Sequence, residues 1–158
     1  MGIAETISAR RKELELSAQE IASKSGRYLS EYRDAEECDK EIFDVVKLRS
    51  LKRLCNLLAL DMLKLFEIPC VFCAATSDNR AIYRQFRNAL IYHVRNEKGW
   101  SLDDLSKRTG WYKSALQKVE SEPDYLESAD LSSIRLLANA LDIPLQVLLA
   151  IKCSDCGL

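Results

Sequence analysis

The chain is written twice, and that repeat limits its possible folds more than any other feature. Slid against itself by 84 residues, Ile7 falls on Ile91, Ser17 on Ser101, Ile21 on Leu105, Ala22 on Ser106, Gly26 on Gly110, Ser30 on Ser114, Ala35 on Val119 and Glu36 on Glu120. After one gap the offset becomes 83. Leu48 then meets Leu131, Leu51 meets Ile134, Leu54 meets Leu137, Leu58 meets Leu141, Leu65 meets Leu148 and Ile68 meets Ile151, with Cys70 on Cys153 and Cys73 on Cys156. Self-similarity at one period marks a structural unit used more than once. The expected division is 1–73, a polar linker 74–80 (AATSDNR), and 81–158, and 158 residues leave room for two small domains.

Glycine and proline are scarce, at 5 and 3 residues, which is too few for the many tight turns of a sandwich or barrel. The apolar spacing is helical instead. In the second unit Ile82–Glu97 sets Phe86, Leu90, Ile91 and Val94 on one side, Ser101 is an N-cap with an acid three residues on, and Leu102–Arg108 ends near Gly110. Tyr112–Glu120, Ala129–Leu141 and Leu145–Ala150 follow, the last with Pro144 at its start. The first unit repeats this as Ile3–Leu14, Ala18–Ser25, Tyr28–Glu36, Val45–Leu58 and Met62–Phe66, with an acidic segment, EECDKEIFD, read as a lengthened loop. The expected fold is all-α, with five helices in each unit.

The stretch SLDDLSKRTGWYKSALQKVE, Ser101 to Glu120, carries the most information. A helix of about eight residues, a turn containing glycine, and a second helix with Leu116 and Val119 turned inward make a helix-turn-helix. Leu105 and Leu116 must meet inside, Ser106 must be small where the helices cross, and Gly110 relieves the backbone at the turn. With LSSIRLLANALDIPLQVLLA behind it, this unit resembles the Xre/Cro, or lambda-repressor-like, family. SAQEIASKSGRYLSEYRDAEE and LRSLKRLCNLLALDMLKLF make the first unit a more divergent copy.

The resemblance implies two tandem five-helix domains forming a pseudo-dimer, with the second helix of each pair in the major groove of double-stranded DNA. It places Tyr112, Lys113, Ser114, Gln117 and Lys118 on the reading face of the second unit, and Arg27, Tyr28, Leu29, Ser30 and Arg33 on that of the first. Gln can bond adenine bidentately, and Lys reaches guanine acceptors or phosphate. Arg108 and Lys107 would serve phosphates. Gln19 stands where this family often has a glutamine that touches DNA, whereas the second unit has Asp103 there. Glu31, Asp34, Glu36 and Glu37 crowd the first reading helix and oppose phosphate.

The function this reading gives is a prokaryotic or phage transcriptional regulator. Its rival is a protein-interaction module, antitoxin-like or a scaffold, that uses the same fold without DNA; a homodimer or another protein partner goes with either. The near balance of 23 basic and 24 acidic residues requires any DNA-binding charge to be concentrated locally.

Two C-x-x-C pairs, Cys70/Cys73 and Cys153/Cys156, close the two units. Two intervening residues let both sulfurs of a pair bind one ion, and two pairs complete a four-thiolate site. Zinc is the expected ion; reversible dithiols, an iron–sulfur cluster and inert thiols without a cofactor are the alternatives. Cys55 lies on an apolar helical face and reads as core, and Cys38 has no assigned role. His93, the one histidine, reads as a surface or satisfied residue, and Trp100 as core. With no phosphate-cradling glycine loop and no nucleophile–base set, enzymatic activity is not expected. No apolar run approaches the length of a membrane span, and the charged start MGIAETISARRKELE does not read as a secretory signal, so the chain is expected in the cytoplasm.

Overall fold

The computed structural model describes residues 2–74 and 86–157. Residues 75–80 of the expected linker, and 82–85 of the helix expected at 82–97, lie outside the described residues. No strand is present among the described residues. The chain falls into two compact units, one of residues 1–67 with 130–132, the other of residues 68–129 with 133–158.

The first unit contains α1 (Ile3–Glu13), α2 (Ala18–Ser25), α3 (Leu29–Glu37), α4 (Asp39–Asp44), α5 (Leu48–Leu57) and α6 (Met62–Leu65). Its core is built from Ile7, Ile21, Tyr32, Ile42, Leu48, Leu51, Leu54 and Leu58, and Cys55 is buried among them as expected. The acidic segment is a correction. Instead of a long loop it forms α4, because Ile42 is buried and Phe43 meets Phe66 edge-on at 5.5 Å. Asp39 also accepts from the Ala4 N–H at 2.6 Å, satisfying a free donor at the start of α1. A second correction concerns α5, which starts at Leu48 because Lys47 is extended (ψ 144°).

In the second unit come α7 (Val71–Ala74), α8 (Arg87–Glu97), α9 (Leu102–Thr109), α10 (Lys113–Ser121), a 3-10 turn (Tyr125–Ser128), α11 (Leu131–Leu141) and α12 (Leu145–Leu149). Leu90, Ile91, Leu105, Leu116, Val119, Ile134, Leu137 and Leu148 are buried. Phe86, expected on the inner face of the first helix, is instead the exposed residue before α8, 79% accessible. The start of α8 is fixed by Arg87, whose guanidinium donates to the Pro123 carbonyl, the Leu148 carbonyl and the Glu127 carboxylate at 2.9–3.1 Å.

The same local devices occur in each unit at the repeat spacing. Ser17 and Ser101 cap α2 and α9, each in a capping box closed by an acid, Glu20 or Asp104. These bonds hold both carboxyls below their ordinary range, chiefly through the serine hydroxyl. Gly26 and Gly110 end the two helices at φ 76° and 74°, a region that costs a side chain about 1–2 kcal/mol. Six further left-handed residues pair at the repeat spacing: Glu15 with Gly99, Ala59 with Asp142, and Glu67 with Ala150.

Candidate nucleic-acid interface and cysteine cluster

In the second unit α9, the turn at Gly110 and α10 form the helix-turn-helix. Leu105 and Leu116 are fully buried, and Ser106 spans the crossing by donating to the Trp111 carbonyl at 2.6 Å. With Leu116 and Val119 held inside, the opposite side of α10 faces out. Tyr112, Lys113, Ser114, Gln117 and Lys118 are all exposed, Tyr112 at 83%.

Arg108 is exposed, with its guanidinium carbon over the Trp100 ring 4.1 Å from the centroid, and the Lys98 ammonium is 5.2 Å from the same centroid. Trp100 is therefore half-buried, not core, and acts as a platform that limits where Arg108 can point. From Lys107 to Lys118 there are four cations (Lys107, Arg108, Lys113, Lys118) and no acid. Just before them, exposed Asp103 pairs with the Lys113 ammonium at 2.9 Å.

α10 is braced from behind. Arg95 on α8 grips Glu120 through Nε at 2.5 Å and Nη2 at 2.9 Å, and donates to the Trp100 carbonyl at 2.6 Å. Both side chains are 9% exposed. The Glu120 bonds hold the Arg95 guanidinium still more firmly protonated. Sequence reasoning placed Glu120 in register with Glu36 but missed the arginine. The signal was available, since Arg11 and Arg95 also stand 84 apart.

The first unit has an equivalent brace beneath a differently charged surface. Arg11 bonds Glu36 at 2.6 and 3.1 Å and the Leu16 carbonyl at 2.9 Å. Where the second unit has Leu116, this one buries Tyr32, whose hydroxyl donates to Glu36 at 2.7 Å. Burial, with the Glu36 bond, pushes the Tyr32 phenol far above its ordinary range. Gln19, Tyr28, Ser30 and Arg33 are exposed. Arg27 is not: its side chain is 6% exposed and Nη2 donates to the Glu31 carbonyl. Between residues 23 and 34 three cations (Lys24, Arg27, Arg33) meet two acids (Glu31, Asp34).

Cys70, Cys73, Cys153 and Cys156 come together within the second unit, with all four sulfurs within 4.8 Å of one another. Cys70 and Cys156, and Cys73 and Cys153, are each 3.8 Å apart. The Cys73 N–H points at the Cys70 sulfur and the Asp155 N–H at that of Cys153, both at 3.4 Å. Burial raises the Cys70 thiol, but the Cys73 N–H, the Cys73 and Cys153 thiols and the Phe72 N–H outweigh it and bring the group down to about 7. The crowded sulfurs push Cys73 up to about 12. Cys38 is exposed, and His93 is a surface residue 3.1 Å from Glu97.

α9, the turn at Gly110 and α10 have the arrangement of a helix-turn-helix domain. Residues 91–148, which run from α8 into α12, match the protein family described as helix-turn-helix. No curated protein and no solved structure matches the chain. No helix among the described residues is long and apolar enough to cross a membrane.

Proposed function

We propose that the chain is a sequence-specific DNA-binding transcriptional regulator that reads the major groove with α10. The observation that carries this reading is the run of four cations from Lys107 to Lys118, with no acid inside the run (Asp103, ahead of it, pairs with Lys113), on and beside an outward helix face whose polar residues are all exposed. In the reading, Lys113 and Gln117 reach base edges, Tyr112, Ser114 and Lys118 flank them, and Lys107 and Arg108 hold phosphates.

We further propose that residues 1–73 and 81–158 are tandem copies of one lambda-repressor-like domain, and that the chain works as a pseudo-dimer on an asymmetric site. The recurring caps, left-handed residues and Arg–Glu braces support the duplication. The first copy would read with Tyr28, Ser30 and Arg33, with Gln19 on the backbone. Arg27, folded under its helix, would steady α3 from within. Zinc at the four cysteines is part of the same proposal.

Selection of duplexes from a random DNA pool, near physiological salt, tests the function. The expected outcome is an enriched motif that the Lys113→Ala/Gln117→Ala variant loses. An uneven pair of half-sites would show both copies reading. Folded protein that enriches nothing would overturn the reading in favour of a protein-interaction module. The exposed acids Glu31, Asp34 and Glu37 on α3 favour that alternative for the first unit.

A further inference from the structure

We infer that the four thiolates form a closed zinc centre that clasps the two ends of the second unit, so that its stability is linked to the metal. This deepens the zinc proposal above and rests on it.

A tetrahedron with Zn–S bonds of about 2.3 Å has sulfur–sulfur edges of about 3.8 Å. Two opposite edges of this cluster, Cys70–Cys156 and Cys73–Cys153, are 3.8 Å, and no pair exceeds 4.8 Å. A disulfide needs sulfurs about 2.05 Å apart. A cluster of several irons would spread its four cysteines around an inorganic core wider than this one. Four sulfurs also fill a tetrahedral ion's coordination, leaving no position for water or substrate, which marks a structural rather than a catalytic site.

Electrostatics agrees. Four thiolates around a divalent ion carry a net charge of −2, which needs donors. The N–H groups of Cys73 and Asp155 aim at Cys70 and Cys153, and Gly157, at φ 73°, turns the chain so that its own N–H bonds the Cys153 carbonyl at 2.9 Å.

Gln146 shows that both cysteine segments are held for a purpose. It is a buried polar residue on α12, 1% exposed. Its Oε1 accepts from the Val71 N–H at 2.9 Å, and its Nε2 donates to the Ile151 carbonyl at 3.2 Å. One side chain therefore ties the start of α7, which follows Cys70 and holds Cys73, to the segment leading into the second pair. At the equivalent position the first unit has Leu63, an apolar core residue. Gln146 thus acts as a positioning residue for the sulfurs. Residues 151–157 form no helix of their own, so their order depends on this tie and on the ion.

The test uses the full chain, purified under reducing conditions. Metal analysis is expected to find one zinc per chain. Replacement by cobalt(II) should give the intense visible bands of a tetrahedral tetrathiolate. Cys156→Ser, an exposed change, should abolish stoichiometric zinc while the helical circular dichroism of the rest is kept. Gln146→Leu, with all four cysteines intact, should lower zinc affinity by about tenfold to a hundredfold. Chelation should lower the melting temperature of the wild type but not that of Cys156→Ser. Four free thiols without metal, iron in place of zinc, or zinc that persists in Cys156→Ser would each overturn the proposal. These readouts need no DNA, so their outcome is independent of whether α10 reads a sequence.

Discussion

The two units solve one packing problem and carry different charge on their exposed helices. Behind α3 and α10 each has an arginine locked on a glutamate and on the carbonyl that precedes the serine cap. In front, the second unit shows four cations and no acid over twelve residues, while the first mixes three cations with two acids and buries one of the cations. Residues that hold a fold are fixed by what they touch, and residues that face out answer only to a partner. The contrast makes the second unit the stronger candidate for DNA.

The brace offers the largest effect. Glu120→Ala leaves Arg95 buried without its partner and should destabilise the second unit by about 3–5 kcal/mol, read by urea unfolding. Glu36→Ala should do the same in the first unit and also strand the Tyr32 hydroxyl. A loss under about 1 kcal/mol in either unit would break the parallel. Next comes the reading face. Gln117→Ala should cost about 1–3 kcal/mol at one base position and little elsewhere, measured by binding to single-base operator variants. Arg33→Ala, at the equivalent position of the first unit, should cost less; equal costs would remove the asymmetry.

At the turns, Gly110→Ala should destabilise by about 1–2 kcal/mol through its positive φ. Gly26→Ala should cost more, because a new Cβ there lies 3.2 Å from the Arg53 guanidinium. Exchanging the residues that differ at the start of the two helix pairs sharpens the contrast from the DNA side. Asp103→Gln frees Lys113 and removes a charge facing phosphate, and should tighten binding by about 1 kcal/mol, more at low salt. The smallest effect belongs to the capping boxes. Glu20 and Asp104 have depressed pKa values when folded, so they stabilise the fold above the unfolded carboxylate range. That contribution is lost as pH falls through the folded values. Ser101→Ala should therefore raise the pKa of Asp104, measured by NMR titration, and cost about 1 kcal/mol.

Much of the architecture was legible because its signals are local. Serine caps, glycines at left-handed turns and a three-to-four apolar spacing act within one or two turns of chain, so the reading placed α2 at its observed bounds and α9 and α10 within a residue of theirs. Reading failed where partners lie far apart in sequence. EECDKEIFD looks like a charged loop until Ile42 and Phe43 find a core, and Phe86 looks inward until Arg87 fixes where α8 begins. Arg27 looks like a DNA contact until its side chain folds under α3.

The sequence by itself determined that the chain is helical, that Ser101–Glu120 makes a helix-turn-helix, and that two C-x-x-C pairs are present. Only the tertiary structure decided that all four sulfurs gather within 4.8 Å, that Gln146 joins the segments carrying them, and that Arg11 and Arg95 brace the two helices. The reason is physical. Backbone preference is set by near neighbours in the chain, whereas a buried ion pair or a four-sulfur cluster exists only once folding has brought together residues that the sequence keeps 25 or 80 positions apart.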